Sequence, residues 1–305
     1  MADIPYFTVF TPSFNSRETL PRVYESLRAQ TYDKFEWLVV NDGSTDGTEA
    51  LVEKWQGRAA FPIRYFSQEN RGKHRSFNRA VTEAKGALFI CLDADDECVP
   101  DALEKCRGFW ESIPKQDRND FSGVTVHCTD ASGKIVGKAF PKHCMDLTPG
   151  EMNVRHPIRG EKWGIYRTDI LGRFPFPEIE GEKFIPEGLV WNRIGRLYKM
   201  RYVDEALRVY HYSPGGLTAK GRRLRIKSPA GARLYYKESL SIPSAYQVWS
   251  KNMKNYIAFS LHAGIPVGRT CKETGFFFAS IFRFPAGYAL YLLDRILSAP
   301  RTGES

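Results

Sequence analysis

At 305 residues, 42% hydrophobic and 26% charged, the chain can bury the core of one large domain or two modest ones, which excludes a disordered or fibrous protein. Charge is unevenly shared: residues 193–305 hold 19 Lys and Arg against 6 Asp and Glu, a net +13, and residues 1–192 hold 25 against 29, a net −4. A basic C-terminal third suits an anionic partner, either a membrane surface or nucleic acid, and equally a solvated basic face.

The opening MADIPYFTVFTPSFN lacks the basic start and apolar core of a signal peptide, and no run of about 18 uncharged apolar residues occurs, so the expected chain is neither exported nor membrane-spanning. YFTVFTPSF reads as a strand stopped by Pro12, and SRETLPRVYESLRAQ as a helix with Leu20, Val23 and Leu27 on one face. FEWLVV is a second strand, and the turn NDGSTDGT offers Thr45 or Asp46 as the cap of the helix TEALVEKWQ. IRYFSQ predicts a third strand, HRSFNRAVTEAKG a helix closed by Gly86, and ALFICLDA a fourth strand apolar on both faces. Four strands separated by helices predict an α/β fold with a parallel, doubly wound sheet.

After about residue 120 the pattern is mixed, with FSGVTVHCTDASGKIVGKAF read as a hairpin around Ser132 and Gly133. Beyond the basic run KGRRLRIK, helices are expected in ARLYYKESLS, AYQVWSKNMKNYIAFSLHAG and FFFASIFRFPAGYALYLLDRILS. The six cysteines have no paired metal spacing and read as reduced thiols.

ICLDADDECVPDAL sets Asp93, Asp95 and Asp96 at the end of the fourth strand. Ligands of an open α/β sheet lie beyond the carboxyl ends of its strands, and a hard divalent cation takes one or two carboxylates plus the oxygens of a bound diphosphate. Asp93 and Asp95 suit that need; the competing reading is a turn that only leads into the helix begun by Asp101. The Gly72-Lys73 pair is no P-loop, since Ser67 and His74 stand where a Gly and a Ser or Thr are required.

FTPSFN, VVNDGSTDGT, NRGKHRSFNRAVTEAKG and ICLDADDECVPDAL, in this order and spacing, resemble the family 2 glycosyltransferases, inverting enzymes of the GT-A fold that use a nucleotide-diphosphate sugar. The resemblance covers residues 5 to about 105, and NRGKHRSFN with GEKFIPEGLVWNRI resembles a branch associated with bacterial surface-polysaccharide assembly. It implies a Rossmann-like, mostly parallel sheet flanked by helices. Residues 1–220 would form the GT-A domain, with 1–105 binding the nucleotide sugar and 106–220 the acceptor, and residues 221–305 a basic helical extension. Thr11 and Pro12 would lie against the nucleoside, Asn15 would belong to the nucleotide-sugar site, and Asp42 would accept from a uracil N–H. Arg71 and Lys73 would approach the nucleotide and its phosphates, and Asn70 would belong to the same nucleotide-sugar site. Asp93 would contact the ribose or the metal and Ala94 the donor, and Asp95 would ligate Mn²⁺ or Mg²⁺ directly with Asp96 supporting.

Inversion also needs a carboxylate to take the acceptor's proton. The resemblance points to Glu187, ahead of an apolar helix carrying Trp191 and Arg193; Pro186 and Gly188 flank it where a second acid is usual, so Glu182 competes. In LRVYHYSPGGLT, His211 reads as a third metal ligand, a phosphate contact or a structural residue, and AKGRRLRIK as a lid or polyanion contact. No Q-x-x-R-W signature of processive relatives is present, which points to single additions. The expected enzyme moves one sugar from a nucleotide donor, UDP favoured, onto a glycan or polyprenyl-lipid-linked acceptor. It would be cytoplasmic, with peripheral attachment to the inner face of the membrane or a packed or oligomeric role for the apolar tail. The alternatives are nucleotidyl transfer on the same aspartates, or nucleic-acid binding by the basic third. No nucleic-acid partner is expected, because the aromatics there cluster in apolar runs instead of alternating with the charges.

Overall fold

The computed structural model describes residues 4–157, 160–212 and 221–298. Two compact bodies divide the chain: Met1–Phe176 with Arg193–Ser213, and Pro177–Asn192 with Pro214–Ser305. The first opens with β1 (Phe7–Ser13), α1 (Leu20–Arg28), β2 (Phe35–Asp42), α2 (Thr48–Gln56), β3 (Ile63–Gln68), α3 (Lys73–Glu83) and β4 (Leu88–Cys91). It continues through β5 (Glu97–Cys98), α4 (Ala102–Glu111), β6 (Phe121–Thr129), β7 (Cys144–Leu147), α5 (Pro149–Arg155), β8 (Lys162–Arg167) and α6 (Thr168–Arg173). Helix α7 (Gly188–Gly195) crosses the division and leads to β9 (Lys199–Val209). The second body holds α8 (Gly221–Lys227), α9 (Pro229–Ser239), α10 (Tyr246–His262), α11 (Val267–Lys272) and α12 (Phe277–Ser298). Residues 213–220, which include SPGGLT and the start of the basic run, lie outside the described residues.

The sheet order is β3-β2-β1-β4-β8-β6-β9-β5, with β7 also on β9. β1 runs parallel to β2 from Phe7↔Phe35 to Ser13↔Asn41, and parallel to β4 from Phe7↔Leu88. With β3 parallel to β2, the first four strands form the expected parallel half; β8 is antiparallel to β4 and β6, so the second half is mixed. Every residue of β2 is buried, as a strand covered on both faces requires. Leu20, Val23 and Leu27 of α1 enter the core, where Tyr24 stacks 4.4 Å from Trp55, and each such aliphatic side chain contributes roughly 1.5–3 kcal/mol.

Three local expectations change. The N-cap of α2 is Gly47, in the left-handed conformation, and neither Thr45 nor Asp46. Helix α3 ends at Glu83 with Ala84 as its C-cap, and Gly86 is there for closeness: a Cβ on it would lie 2.3 Å from the Thr8 amide nitrogen of β1. The hairpin at Ser132–Gly133 turns as expected, but its return segment makes only an isolated bridge, Thr129↔Ile135, because β6 already pairs with β8 and β9 on its two edges. All six cysteines are free thiols, and no helix among the described residues is long and apolar enough to cross a membrane.

Candidate active site

The reversal of strand order lies between β1 and β4, and the loops leaving the carboxyl ends of β1, β2 and β3 are tied together beside it. Asn15 takes the left-handed conformation, φ 50°, which Asn tolerates. Its amide donates to Ser44 Oγ at 2.8 Å and its side-chain oxygen accepts from the Thr45 amide at 2.8 Å. Asp46 Oδ2 accepts from the Arg17 amide at 2.9 Å, and Asp46 Oδ1 from the Thr48 amide at 3.0 Å at the start of α2. Gly43, φ 79°, lets the β3–α3 loop close in, since a Cβ there would lie 2.8 Å from the Asn70 nitrogen.

Asp42 organises that loop. Its Oδ1 accepts from Gln68 Nε2 at 2.9 Å and the Arg71 amide at 3.0 Å, and its Oδ2 from the Gly72 amide at 2.8 Å. Thr11 is fully buried, and its hydroxyl accepts from Trp37 Nε1 at 3.0 Å, so that hydroxyl serves the core. Pro12 is half-buried at the strand end, and the Arg71 side chain is exposed.

The aspartates after β4 are held from three directions. Lys73, the first residue of α3, places Nζ 2.6 Å from Asp93 Oδ1. Arg208 of β9 donates from Nη2 to Asp93 Oδ2 at 3.0 Å and from Nε to Asp96 Oδ2 at 2.7 Å, with a second, shorter contact to Asp96. Arg22 of α1 donates to the Asp95 carbonyl at 2.6 Å, fixing the turn whose middle residue, Ala94, is buried. Asp96 is fully buried and also accepts the His211 amide at 2.8 Å. Burial alone would raise Asp93, but Lys73 and Arg208 outweigh it and hold its carboxyl down to about 2. Burial lifts Asp96 to about 6 against the pull of Arg208, and the two carboxylates keep the buried guanidinium protonated.

Asp95 differs from its neighbours. Its half-buried carboxylate makes no hydrogen bond or ion pair with another described residue, and burial, then the charge of Asp93, raises it. Such a group, next to a carboxylate kept ionised, fits the partial donor set of a hard divalent cation that completes its shell with phosphate oxygens. Among the described residues no cluster of three or more His, Cys, Asp or Glu side chains forms a full cage, and His211 Nε2 is engaged with Glu97 Oε1 at 2.9 Å.

The two acids weighed as proton acceptors lie in the second body and differ in state. Glu182 is buried, its oxygens accepting the Ala230 amide at 2.6 Å and the Gly231 amide at 2.7 Å, so it caps the N-terminus of α9; burial raises its pKa. Glu187 precedes α7 with an exposed side chain, and its carbonyl accepts the Val190 amide at 3.0 Å.

Arg208 and Arg22 are not legible as site residues in the sequence. The available signal for Arg208 is a lone cation in the strand ALRVYHY, facing inward where β9 pairs Arg208 with Cys98 of β5, two residues after Asp96.

Residues 8–157 match the family described as Glycosyl transferase family 2. A chondroitin synthase of Pasteurella multocida is 36% identical over 103 residues, 34% of this chain and 11% of that protein. The chain thus spans about a tenth of that relative's length. Among solved structures, S. aureus TarS 1–349 in complex with UDP superposes with a TM-score of 0.60 at 18% identity, over 97% of this chain and 93% of that one. The mannosyltransferase PcManGT from Pyrobaculum calidifontis, in complex with GDP-Man and Mn²⁺, gives 0.55 at 18% identity, over 98% and 77%. At those identities the likeness is one of fold.

Proposed function

The chain carries a glycosyl transferase family 2 domain, and on that premise we propose that it is a metal-dependent, inverting glycosyltransferase adding one sugar from a UDP-linked donor. The acceptor is a glycan or a polyprenyl-lipid-linked glycan in surface-polysaccharide synthesis. The observation that carries the reading is the turn after β4, where the Asp95 carboxylate makes no hydrogen bond or ion pair with another described residue while Lys73 and Arg208 converge on Asp93. Asp93 and Asp95 would hold Mn²⁺ or Mg²⁺, which when bound neutralises charge on the departing diphosphate. The solved PcManGT complex with Mn²⁺ and the UDP complex of TarS support these ligand classes.

Lys73 and Arg208 supply fixed positive charge where a diphosphate is attracted. Asp42 Oδ2 takes one amide, from Gly72, and so retains a lone pair that can accept from a uracil N–H, with Asn15, Asn70 and Arg71 on the adjoining loops. Glu187 serves as the base, because the Glu182 carboxylate is already committed to α9. As the acceptor oxygen bonds to the anomeric carbon, the bond to the diphosphate oxygen breaks and the hydroxyl proton passes to Glu187.

The test is thermal stability with UDP, GDP, dTDP or CMP, each with Mn²⁺ or EDTA, for the wild type and Asp95→Ala. A nucleotide at about 100 times its Kd stabilises by roughly 2.7 kcal/mol. Stabilisation by UDP that needs Mn²⁺ and vanishes in Asp95→Ala is expected; no shift with any nucleotide refutes the donor site.

A further inference from the structure

Helix α12 presents large apolar side chains to solvent and turns two polar ones toward the protein beside Phe284 and Gly287. Ser280 and Asp294 are buried, whereas Phe278, Phe282, Ile296 and Leu297 are 70–83% exposed. A helix on the surface of a water-soluble body normally shows the reverse pattern. The orientation is locked from the inside: Asp294 accepts from Arg222 Nε at 2.5 Å and Nη2 at 2.6 Å, and His262 Nε2 lies 3.1 Å away. At Gly287 the helix meets α10 so closely that a Cβ would lie 2.6 Å from Ile257 Cβ. Rolling α12 over would break that ion pair and this contact together.

The outward positions recur at spacings of three and four residues, from Phe278 through Phe282 and Leu293 to Ile296, a continuous stripe about 30 Å long. No charged side chain interrupts it, and Arg283 and Arg295 stand at its margins over the rings of Tyr246 and Tyr291. Charge chooses the occupant. Residues 221–298 carry 12 Lys and Arg against 3 Asp and Glu. Of those acids, Asp294 is bound by Arg222, and Glu273 by Arg233, Lys237 and Arg269. A second copy docked on the stripe would oppose two strongly cationic surfaces, while an anionic bilayer would cover the apolar face and neutralise its basic flanks.

We propose that α12 lies flat in the interface of an anionic membrane, its Phe-, Leu- and Ile-bearing face in the boundary between headgroups and acyl chains. The helix attaches the protein without spanning the bilayer.

The experiment is flotation of the full chain, without nucleotide, on vesicles of phosphatidylglycerol and phosphatidylethanolamine and on vesicles of phosphatidylcholine. At least tenfold tighter binding to the anionic vesicles is expected, weakening several-fold between 50 and 500 mM NaCl. Phe278→Gln/Phe282→Gln/Ile296→Gln should lose at least tenfold in binding at an unchanged thermal midpoint, and Phe282→Leu should retain binding. As a measurement that does not need the triple variant to fold, Phe282→Trp fluorescence should be quenched by brominated lipid. Absence of wild-type binding to anionic vesicles, equal binding by the triple variant, or an unquenched Trp overturns the proposal. A dimer in light scattering that the triple variant dissociates also overturns it, by assigning the stripe to a second copy.

Discussion

Replacing Arg208 by Met tests the buried electrostatics on which the aspartate turn depends. In the wild type Asp96 has no solvent exposure and Arg208 is 7% exposed, and Arg208 donates to both Asp96 and Asp93. Met retains much of the side-chain volume and removes the charge, leaving a fully buried carboxylate with only the His211 amide. Breaking a buried pair by removing one partner costs about 3–5 kcal/mol. Asp96, already lifted to about 6 by burial, loses its main opposing pull and rises further. A carboxyl whose folded pKa exceeds its unfolded value contributes stability that is complete below the unfolded pKa, 3.8, and is lost as pH rises through the folded one. The variant's loss should therefore be larger at pH 7.5 than at pH 5. Urea unfolding, followed by tryptophan fluorescence at both pH values in EDTA, measures it. Arg208→Met/Asp96→Asn should recover most of the loss, because the stranded charge is gone. A loss under about 1 kcal/mol at pH 7.5, or a double variant no more stable than the single one, would refute the reasoning.

Asp95→Asn should leave metal-free stability unchanged or slightly higher, since burial and Asp93 disfavour its charge, while abolishing Mn²⁺-dependent stabilisation by UDP; differential scanning fluorimetry reads both. Glu182→Ala, which uncaps α9, should cost about 0.5–2 kcal/mol and leave turnover per folded molecule intact. Glu187→Gln should keep stability and UDP binding but lower kcat by about 10²–10⁴-fold. A reversed pattern in sugar-transfer assays would exchange the roles of these two acids. Gly43→Ala, forced to φ 79° with its Cβ 2.8 Å from the Asn70 nitrogen, should cost about 1–2 kcal/mol and weaken UDP binding in calorimetry by displacing the Asn70–Gly72 loop.

Much of the first body is legible in the sequence, because a strand buried on both faces is a short apolar run and the helix between two parallel strands shows a 3.6-residue period. Local punctuation likewise places Asp42 and the Asp93–Asp96 turn at the carboxyl ends of β2 and β4. What the sequence leaves open depends on pairings between distant residues. Arg208 reaches Asp93 from 115 positions away because β9 pairs with β5, a register that no local pattern encodes. Glu182 and Glu187 are similar acids five residues apart ahead of the same helix, α7, and only the docking of one against the N-terminus of α9 separates them. Gly86 reads as a helix cap until β1 is seen passing against it. The apolar content of α12 is plain in its residues, but which side faces outward is decided by Arg222, His262 and Ile257 on neighbouring helices. Periodicity is a property of a segment, whereas burial and charge pairing are properties of what packs against it.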